Sequence, residues 1–398
     1  MEIFFSVGEP SGDQHAAHLI LEIQRRRPDI RCTGFGGPEM ENAGCSLLFR
    51  LTSLAVMFIW DTVPQLLKFY KLVKQAERYF RETPPDAVVL VDFPGFNWWI
   101  ARKAKAAGIP VFYYLPPQLW AWGTWRIKKM RKFVDHILCG LAFEPKFYAQ
   151  QGMQAKYVGH PFFDEIAAHQ LDEQFLKQQT EQPEKIVGLL PGSRNKEIER
   201  NWGMMLKVAR QLHIENPQVR FLVASYNDEQ RTRCEELLRE FVETVPNDAE
   251  TKRWLNSIQF YVGKTSEIIE AAHCCLMVSG SVSLELLTRT TPATVIYKIN
   301  TAARFFKWLF LKVPYITLPN LMAESPILPE WVVCNQPERD LREMKETLSR
   351  WLNDEENYRA RIQELTTLRD DVVKTGATEL TADEILRHLP EQTARVAA

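Results

Sequence analysis

MEIFFSVGEPSGD, residues 1–13, opens with an apolar run over 3–7, passes through Gly8-Glu9-Pro10-Ser11-Gly12 and reaches Asp13, where helical spacing begins. A short apolar strand feeding a glycine-bearing turn and then a helix is the opening unit of a βαβ chain. The same grammar continues outward. Residues 87–91, 111–114 and 136–138 read as further strands, and 13–26 and 63–81 have helical spacing. Around 164–185 the pattern gives way to a Gln- and Glu-rich passage ending at Pro183. It then resumes with strand-like runs at 185–190, 219–224, 258–262, 275–278 and 293–297. Two open, mostly parallel α/β sheets flanked by helices are therefore expected. A length of 398 residues agrees, because it exceeds what one ordinary core holds. From Arg339 the chain is charged and helical, with Leu341, Met344, Leu348, Trp351 and Leu352 on one face and Ile385, Leu386 and Leu389 near the end. These helices must cover apolar surface.

Composition removes several function classes. A formal net charge of -1 gives no global attraction to nucleic acid or to an anionic membrane, so any basic partner surface is local. The amino terminus lacks a basic leader and a small-residue cleavage site, and Lys68, Lys71, Lys307 and Lys312 interrupt the longest apolar stretches. The expectation is a cytoplasmic protein without a spanning helix. Seven scattered cysteines, odd in number and without a C-x-x-C pair, speak for reduced thiols and against a disulfide framework or a zinc knuckle. No metal site and no cofactor are expected.

In open parallel sheets ligands bind beyond the carboxyl ends of the strands. Several such ends carry chemistry here. The first, Gly8 to Asp13, offers close backbone approach and free N–H groups at a helix start; Gly34-Phe35-Gly36-Gly37-Pro38 reads as a similar turn. The second, Val91-Asp92-Phe93-Pro94-Gly95-Phe96-Asn97, places a carboxylate at the end of an apolar strand, where desolvation raises its pKa toward that of a general base. A helix-capping carboxylate is the competing reading. Next, Tyr113-Tyr114-Leu115-Pro116-Pro117-Gln118-Leu119-Trp120-Ala121-Trp122-Gly123 is a rigid aromatic loop. It is followed by the basic run Trp125-Arg126-Ile127-Lys128-Lys129-Met130-Arg131-Lys132, whose cations suit a phosphate or anionic headgroups, or simply a solvated helix face.

In the second half Gly192 and Ser193 admit a ligand close to the backbone, and the Arg194 guanidinium is suited to clamp a diphosphate. Ser279-Gly280-Ser281 follows another strand; Ser281 is placed to cap the next helix, and Glu285, one turn on, to accept hydrogen bonds from a ribose diol.

The order and spacing of GEPSGD, GFGGPEM, LAVMFIWDTV, VDFPGFN, PPQLWAW, VGHPFFD, LLPGSRNKEIER, SGSVSLE and YITLPNLMAE resemble the lipid-A-disaccharide synthase family over nearly the whole chain. The resemblance implies a GT-B fold, with two Rossmann-like domains facing across a cleft. It implies a UDP-2,3-diacylglucosamine donor and a 2,3-diacylglucosamine 1-phosphate acceptor, joined β(1→6) with release of UDP. On this sequence it makes Asp92 the essential carboxylate and places Glu9, Ser11 and Asp13 in the reaction cleft. Arg194, Glu285 and Asn320 would hold UDP.

The domain expectation is an acceptor-side domain over 1–165, a linker over 166–185, a UDP-sugar domain over 186–350, and helices over 351–398 crossing back. Because both substrates are acylated, the apolar segment with Val56, Met57, Phe58 and Trp60, together with Trp120, is expected to meet acceptor or membrane. Peripheral contact with the cytoplasmic face of the inner membrane follows, with no nucleic acid partner and an unassigned oligomeric state. Departures from the family pattern are Gly95, where many relatives carry a second acid, Phe58 and Trp60 in place of smaller residues, and Glu324, where glycine is common. The rival readings are a UDP-N-acetylglucosamine 2-epimerase-like enzyme, which needs no acyl-binding surface, and a non-catalytic nucleotide-binding protein that contacts membrane.

Overall fold

The computed structural model describes residues 1–53, 62–299, 313–334 and 337–389, with the side chains of 62–66 left aside. The chain forms two units, Met1–Ala167 with the segment from Lys374, and Ala168–Val373.

The first unit is built on a seven-stranded parallel sheet of β1 (Glu2–Val7), β2 (Arg31–Gly36), β3 (Ser46–Arg50), β4 (Ala87–Val91), β5 (Val111–Tyr114), β6 (His136–Cys139) and β7 (Lys156–Tyr157). Its order is β3-β2-β1-β4-β5-β6-β7. The second unit has six strands, β8 (Lys185–Leu190), β9 (Val219–Ser225), β10 (Ile258–Val262), β11 (Cys274–Val278), β12 (Ala293–Lys298) and β13 (Glu330–Val333), in the order β10-β9-β8-β11-β12-β13. Each order runs outward from its first strand in one direction and reverses at the fourth. Both sheets are thus Rossmann-like, with topological switch points between β1 and β4 and between β8 and β11. The central strands are near-continuous apolar runs because helices cover both faces; EIFFSV of β1 is buried throughout.

Several expectations are corrected here. Gly34, Phe35 and Gly36 lie in β2, and only Gly37 turns the chain. Gly34 is in the sheet because β1 passes too closely for a side chain: a Cβ there would collide with the Phe5 backbone. The passage 166–185 is no free linker. Its helix Glu173–Thr180 belongs to the second unit, with Phe175 against Tyr261 at 4.9 Å and Gln179 buried under Arg220, whose Nη1 donates to its Oε1 at 2.9 Å. The helices Pro337–Asn353 and Glu355–Val372 also stay in the second unit, the first burying Leu341, Met344, Leu348, Trp351 and Leu352 as the spacing requires. Only the helix Ala377–Arg387 packs on the first unit, against the helix Pro10–Arg26. Asp164 fixes its start by accepting from Gly376 N–H at 2.6 Å and Thr378 N–H at 3.3 Å.

At the first switch point the chain leaves β4 through two consecutive left-handed residues, Asp92 at φ 46° and Phe93 at φ 43°. Neither is glycine, so each is strained by roughly 1–2 kcal/mol. Buried Asn97 compensates. Its Nδ2 reaches the carbonyls of Asp92 at 2.8 Å, Ser6 at 3.1 Å and Val91 at 3.2 Å, and its Oδ1 accepts from Ser6 Oγ at 2.7 Å. The Phe93 ring rests on Gly8, where a Cβ would stand 2.1 Å from Phe93 Cδ1.

Asn97→Ala is expected to lower stability by roughly 2–3 kcal/mol, since it strands buried carbonyls. Gly8→Ala should lose roughly 1–3 kcal/mol through overpacking against Phe93. Gly95→Ala, whose new Cβ meets nothing within 4 Å, should stay within about 0.5 kcal/mol. Urea denaturation checks all three, and equal losses at Gly8 and Gly95 would contradict the packing described.

Candidate active site

Asp92 stands where β4 ends beside β1, in a register that pairs Val7 with Val91. The helix Pro10–Arg26 starts alongside it, so that a Cβ on Gly12 would lie 3.5 Å from Asp92 Oδ2. Among the described residues no hydrogen-bond donor reaches the carboxylate. Burial and the neighbouring charge of Glu9 push its pKa up to about 7, against an opposing contribution from His15. Glu9 is exposed at the N-cap of that helix and makes no capping bond, and Ser11 is exposed one turn start later. Glu9, Ser11 and Asp92 are therefore gathered at one strand end.

Asp13 has a different position. It is buried, and its Oδ1 accepts from Gly37 N–H at 2.7 Å and Met40 N–H at 3.3 Å while Oδ2 accepts from Glu39 N–H at 3.0 Å. The carboxylate is committed to the start of the helix Pro38–Asn42, and the structure gives it a positioning part there.

Trp120 also turns out to be anchored. Its Nε1–H donates at 3.0 Å to Glu144, a buried carboxylate that also accepts from Leu141 N–H at 3.1 Å and is pushed by burial up to about 7. Glu144 was not legible from spacing, because it follows β6 by four residues in an unremarkable helix start. Tyr113, the first residue of the aromatic stretch Tyr113 to Gly123, adds a bond to this corner, its hydroxyl donating to the Asp92 carbonyl at 2.8 Å. His15 is buried with Nδ1 3.3 Å from Glu165 Oε1, and its ring lies 6.3 Å from that of His160, whose pKa burial and His15 lower to about 4. The strand ends of the first unit thus hold more titratable groups than the sequence motifs suggested.

In the second unit β8 and β11 end side by side, pairing Leu190 with Met277. Their loops, Pro191-Gly192-Ser193-Arg194 and Ser279-Gly280-Ser281, therefore leave the same edge at the switch point. Gly192 takes φ 106°, which glycine alone adopts freely. Gln230 holds the loop by donating to the Ser193 carbonyl at 2.5 Å. Arg194 is 79% exposed and among the described residues pairs with Glu197 alone, its Nη1 2.9 Å from Oε1, an exposed i,i+3 pair that a stronger anion can displace.

Ser281 does not cap. It is already helical at φ −58° and its hydroxyl makes no capping bond, while Ser283 Oγ donates to the Gly280 carbonyl at 2.8 Å. Glu285 is buried and accepts from Arg289 Nε at 3.0 Å, and Arg289 is in turn paired with Glu270. The side chain of Asn320 is spent within the fold. Its Nδ2 donates to the Leu328 carbonyl at 2.7 Å and to Glu330 at 2.6 Å, and its Oδ1 accepts from Leu328 N–H at 2.7 Å. It holds the loop before β13.

Val56, Met57, Phe58 and Trp60 lie outside the described residues, as does the aromatic stretch around Phe305. What is described is a set of exposed large apolar side chains in the first unit: Leu67, Tyr70, Trp99, Trp122 and Trp125. No described helix is long and apolar enough to cross a membrane.

Residues 3–383 match the family model for lipid-A-disaccharide synthetase. The chain is 31% identical over 329 residues to lipid-A-disaccharide synthase of Coxiella burnetii (strain Dugway 5J108-111), covering 82% of this chain and 83% of that one. It is 30% identical over 393 residues to the synthase of Myxococcus xanthus, covering 98% and 97%. Among solved structures, UDP-GlcNAc 2-epimerase from Neisseria meningitidis aligns with a TM-score of 0.63 at 12% identity, covering 97% of this chain and 100% of that one. Acinetobacter baumannii MurG aligns with a TM-score of 0.57 at 12% identity, covering 97% and 99%. At such identity the two structures carry the fold alone, which is GT-B. With nearly its whole length matched and its Rossmann-like units in place, the chain belongs to the lipid-A-disaccharide synthase family of glycosyltransferases.

Proposed function

We propose that the protein is an inverting glycosyltransferase that moves a 2,3-diacylated glucosamine from UDP to the 6-hydroxyl of 2,3-diacylglucosamine 1-phosphate. The products are the β(1→6) disaccharide 1-phosphate and UDP. The observation that carries this reading is the Asp92 carboxylate, which has no hydrogen-bond donor among the described residues and a pKa near neutrality. Inversion needs a base that takes the acceptor hydroxyl proton as the bond to the anomeric carbon forms. A carboxylate with pKa about 7 is matched to that task, whereas an ordinary one is too weak. Glu9 supports it electrostatically, Ser11 lines the same strand end, and Asp13 and Asn97 hold the loops that present it.

Donor binding belongs to the second unit. Gly192, Ser193, Ser279, Gly280 and Ser281 offer backbone approach to the diphosphate, Arg194 supplies the cation that stabilises the departing charge, and Glu285, oriented by Arg289, faces the ribose. The exposed Leu67, Tyr70, Trp99, Trp122 and Trp125 support peripheral contact with a membrane surface, where acylated substrates reside.

Purified protein given both acylated substrates in chelator-treated buffer should release UDP and form the disaccharide phosphate, read by mass spectrometry. Asp92→Asn is expected to lower kcat by roughly 10²–10⁴-fold while UDP affinity stays within about twofold; normal turnover would sink the base assignment. The rate should climb with pH and level off above about 7, as the base loses its proton. Stability should run the other way. The folded pKa of Asp92 lies above the unfolded value, so the folded state binds more protons between about pH 4 and 7, and stability falls as pH rises through that window. Asp92→Asn should flatten part of that slope in urea titrations, leaving the share of Glu144, which has the same sign.

A further inference from the structure

The loop after β5 ends in a 3₁₀ turn, Thr124–Arg126, whose last residue is an anomaly in its charge balance. Arg25, Arg26, Arg27, Arg31 and Arg50 of the same unit are each paired with a carboxylate, and Arg78, Arg81, Arg102 and Arg131 are exposed to water. Arg126 has no such partner among the described residues. Its guanidinium lies 4.2 Å from the centroid of the Trp122 ring, its Nη2 makes one long bond to the Trp122 carbonyl at 3.3 Å, and its Nε is buried with no acceptor. Burial lowers its pKa, the sign of a cation held short of solvation. The loop is also shaped around it: Gly123 takes φ 71°, and a Cβ there would stand 2.6 Å from Arg126 Nε.

Arg126 is close enough to Tyr113 for each to shift the other's titration, and Tyr113 is hydrogen-bonded to the Asp92 carbonyl and feels the charges of Asp92 and Glu9. The unpaired cation and the candidate base therefore belong to one cluster at the ends of β4 and β5. Beyond it, exposed Lys128 and Lys129 on the helix Ile127–Phe133 add positive potential. A planar, partly desolvated guanidinium with free donors is matched to a phosphate oxygen pair.

We propose that Arg126 binds the phosphate monoester of the acceptor sugar and so makes the enzyme specific for a 1-phosphorylated acceptor. The assignment rests on the reaction proposed above: the acceptor presents its hydroxyl to Asp92 at one end of the ring and its phosphate to Arg126 at the other. Stacking on Trp122 fixes the plane of the fork, and the phosphate supplies the acceptors that the fold leaves out.

The test uses the full chain. Initial rates are measured with acceptors bearing and lacking the 1-phosphate, for the unaltered protein, Arg126→Gln and Arg126→Lys, with thermal unfolding to confirm that each variant is folded. Arg126→Gln is expected to raise the KM for the phosphorylated acceptor roughly 10–100-fold, to leave the donor KM within about twofold, and to abolish the preference for the phosphorylated acceptor; Arg126→Lys should recover part of it. Persistence of the preference, or a rise in donor KM instead, overturns the assignment.

Binding of the phosphorylated acceptor to Asp92→Asn protein, which needs no turnover, should weaken by a similar factor when Arg126→Gln is added. Unchanged binding overturns the assignment, whereas weakened binding, found together with an unaltered protein that makes no disaccharide, sinks the synthase reaction and keeps the phosphate site. Association with phosphatidylcholine vesicles containing phosphatidylglycerol should be the same for Arg126→Gln. Loss of that association with unaltered acceptor kinetics would assign the guanidinium to a lipid headgroup and refute the acceptor site.

Discussion

A single buried amide, Asn97, holds together the corner on which the first unit's chemistry depends. The chain must leave β4 sharply enough to bring a carboxylate back toward β1, and it does so through two non-glycine residues in left-handed conformation. At this corner the carbonyls of Val91 and Asp92 are met by side-chain donors. Asn97 answers them and ties the end of β1 into the same knot through Ser6, while Tyr113 gives the Asp92 carbonyl a second donor. The carbonyl of Asp92 thereby has two donors and its carboxylate, among the described residues, has none. Strain held by buried hydrogen bonds is a recurrent way of presenting a reactive group, because relaxation would break several of them at once.

The second unit solves the same topological problem without strain. Its switch point is lined by Gly192 and Gly280, and the open space around Gly280 leaves the backbone free for a ligand to approach. The difference fits the roles proposed for the two corners. A base needs a fixed side chain with its solvation withheld, so rigidity and burial serve it. A diphosphate is bound by backbone N–H groups and an exposed guanidinium, so access serves it better. Arg194 and Arg126 illustrate the contrast among cations: one is exposed and paired within its own helical turn, the other half-buried and, among the described residues, without a carboxylate partner.

The central strands were legible because burial on both faces makes them uninterrupted apolar runs. The missed strands, β2, β3, β7 and β13, are short or polar. RCTGFG of β2 carries two glycines that serve close packing on β1, so it reads as a turn. The helix Glu173–Thr180 was mistaken for linker because its buried face uses Gln179, a polar residue satisfied by Arg220, which no hydrophobic period reveals. At the site, Asp92 and the two glycine loops were visible as strand-end motifs. The occupation of Asp13 by three backbone N–H groups, and of Asn320 by Leu328 and Glu330, was not, because motif position says nothing about which hydrogen bonds a side chain already makes.

The departures from the family pattern take on physical meaning in this light. Glu324 sits at φ 52° at the end of the helix Leu318–Ala323, a left-handed position that explains why glycine is common there; here a side chain is carried at the expense of backbone ease. Gly95 is the reverse case, since its missing side chain would have had open space at the first turn of the helix after Asp92. A second acid at that position would add negative charge near a carboxylate already raised by burial and by Glu9. In its absence burial first, and then the Glu9 charge, raises the pKa of Asp92, which ties the acid–base balance of the site to the turn that opens the chain.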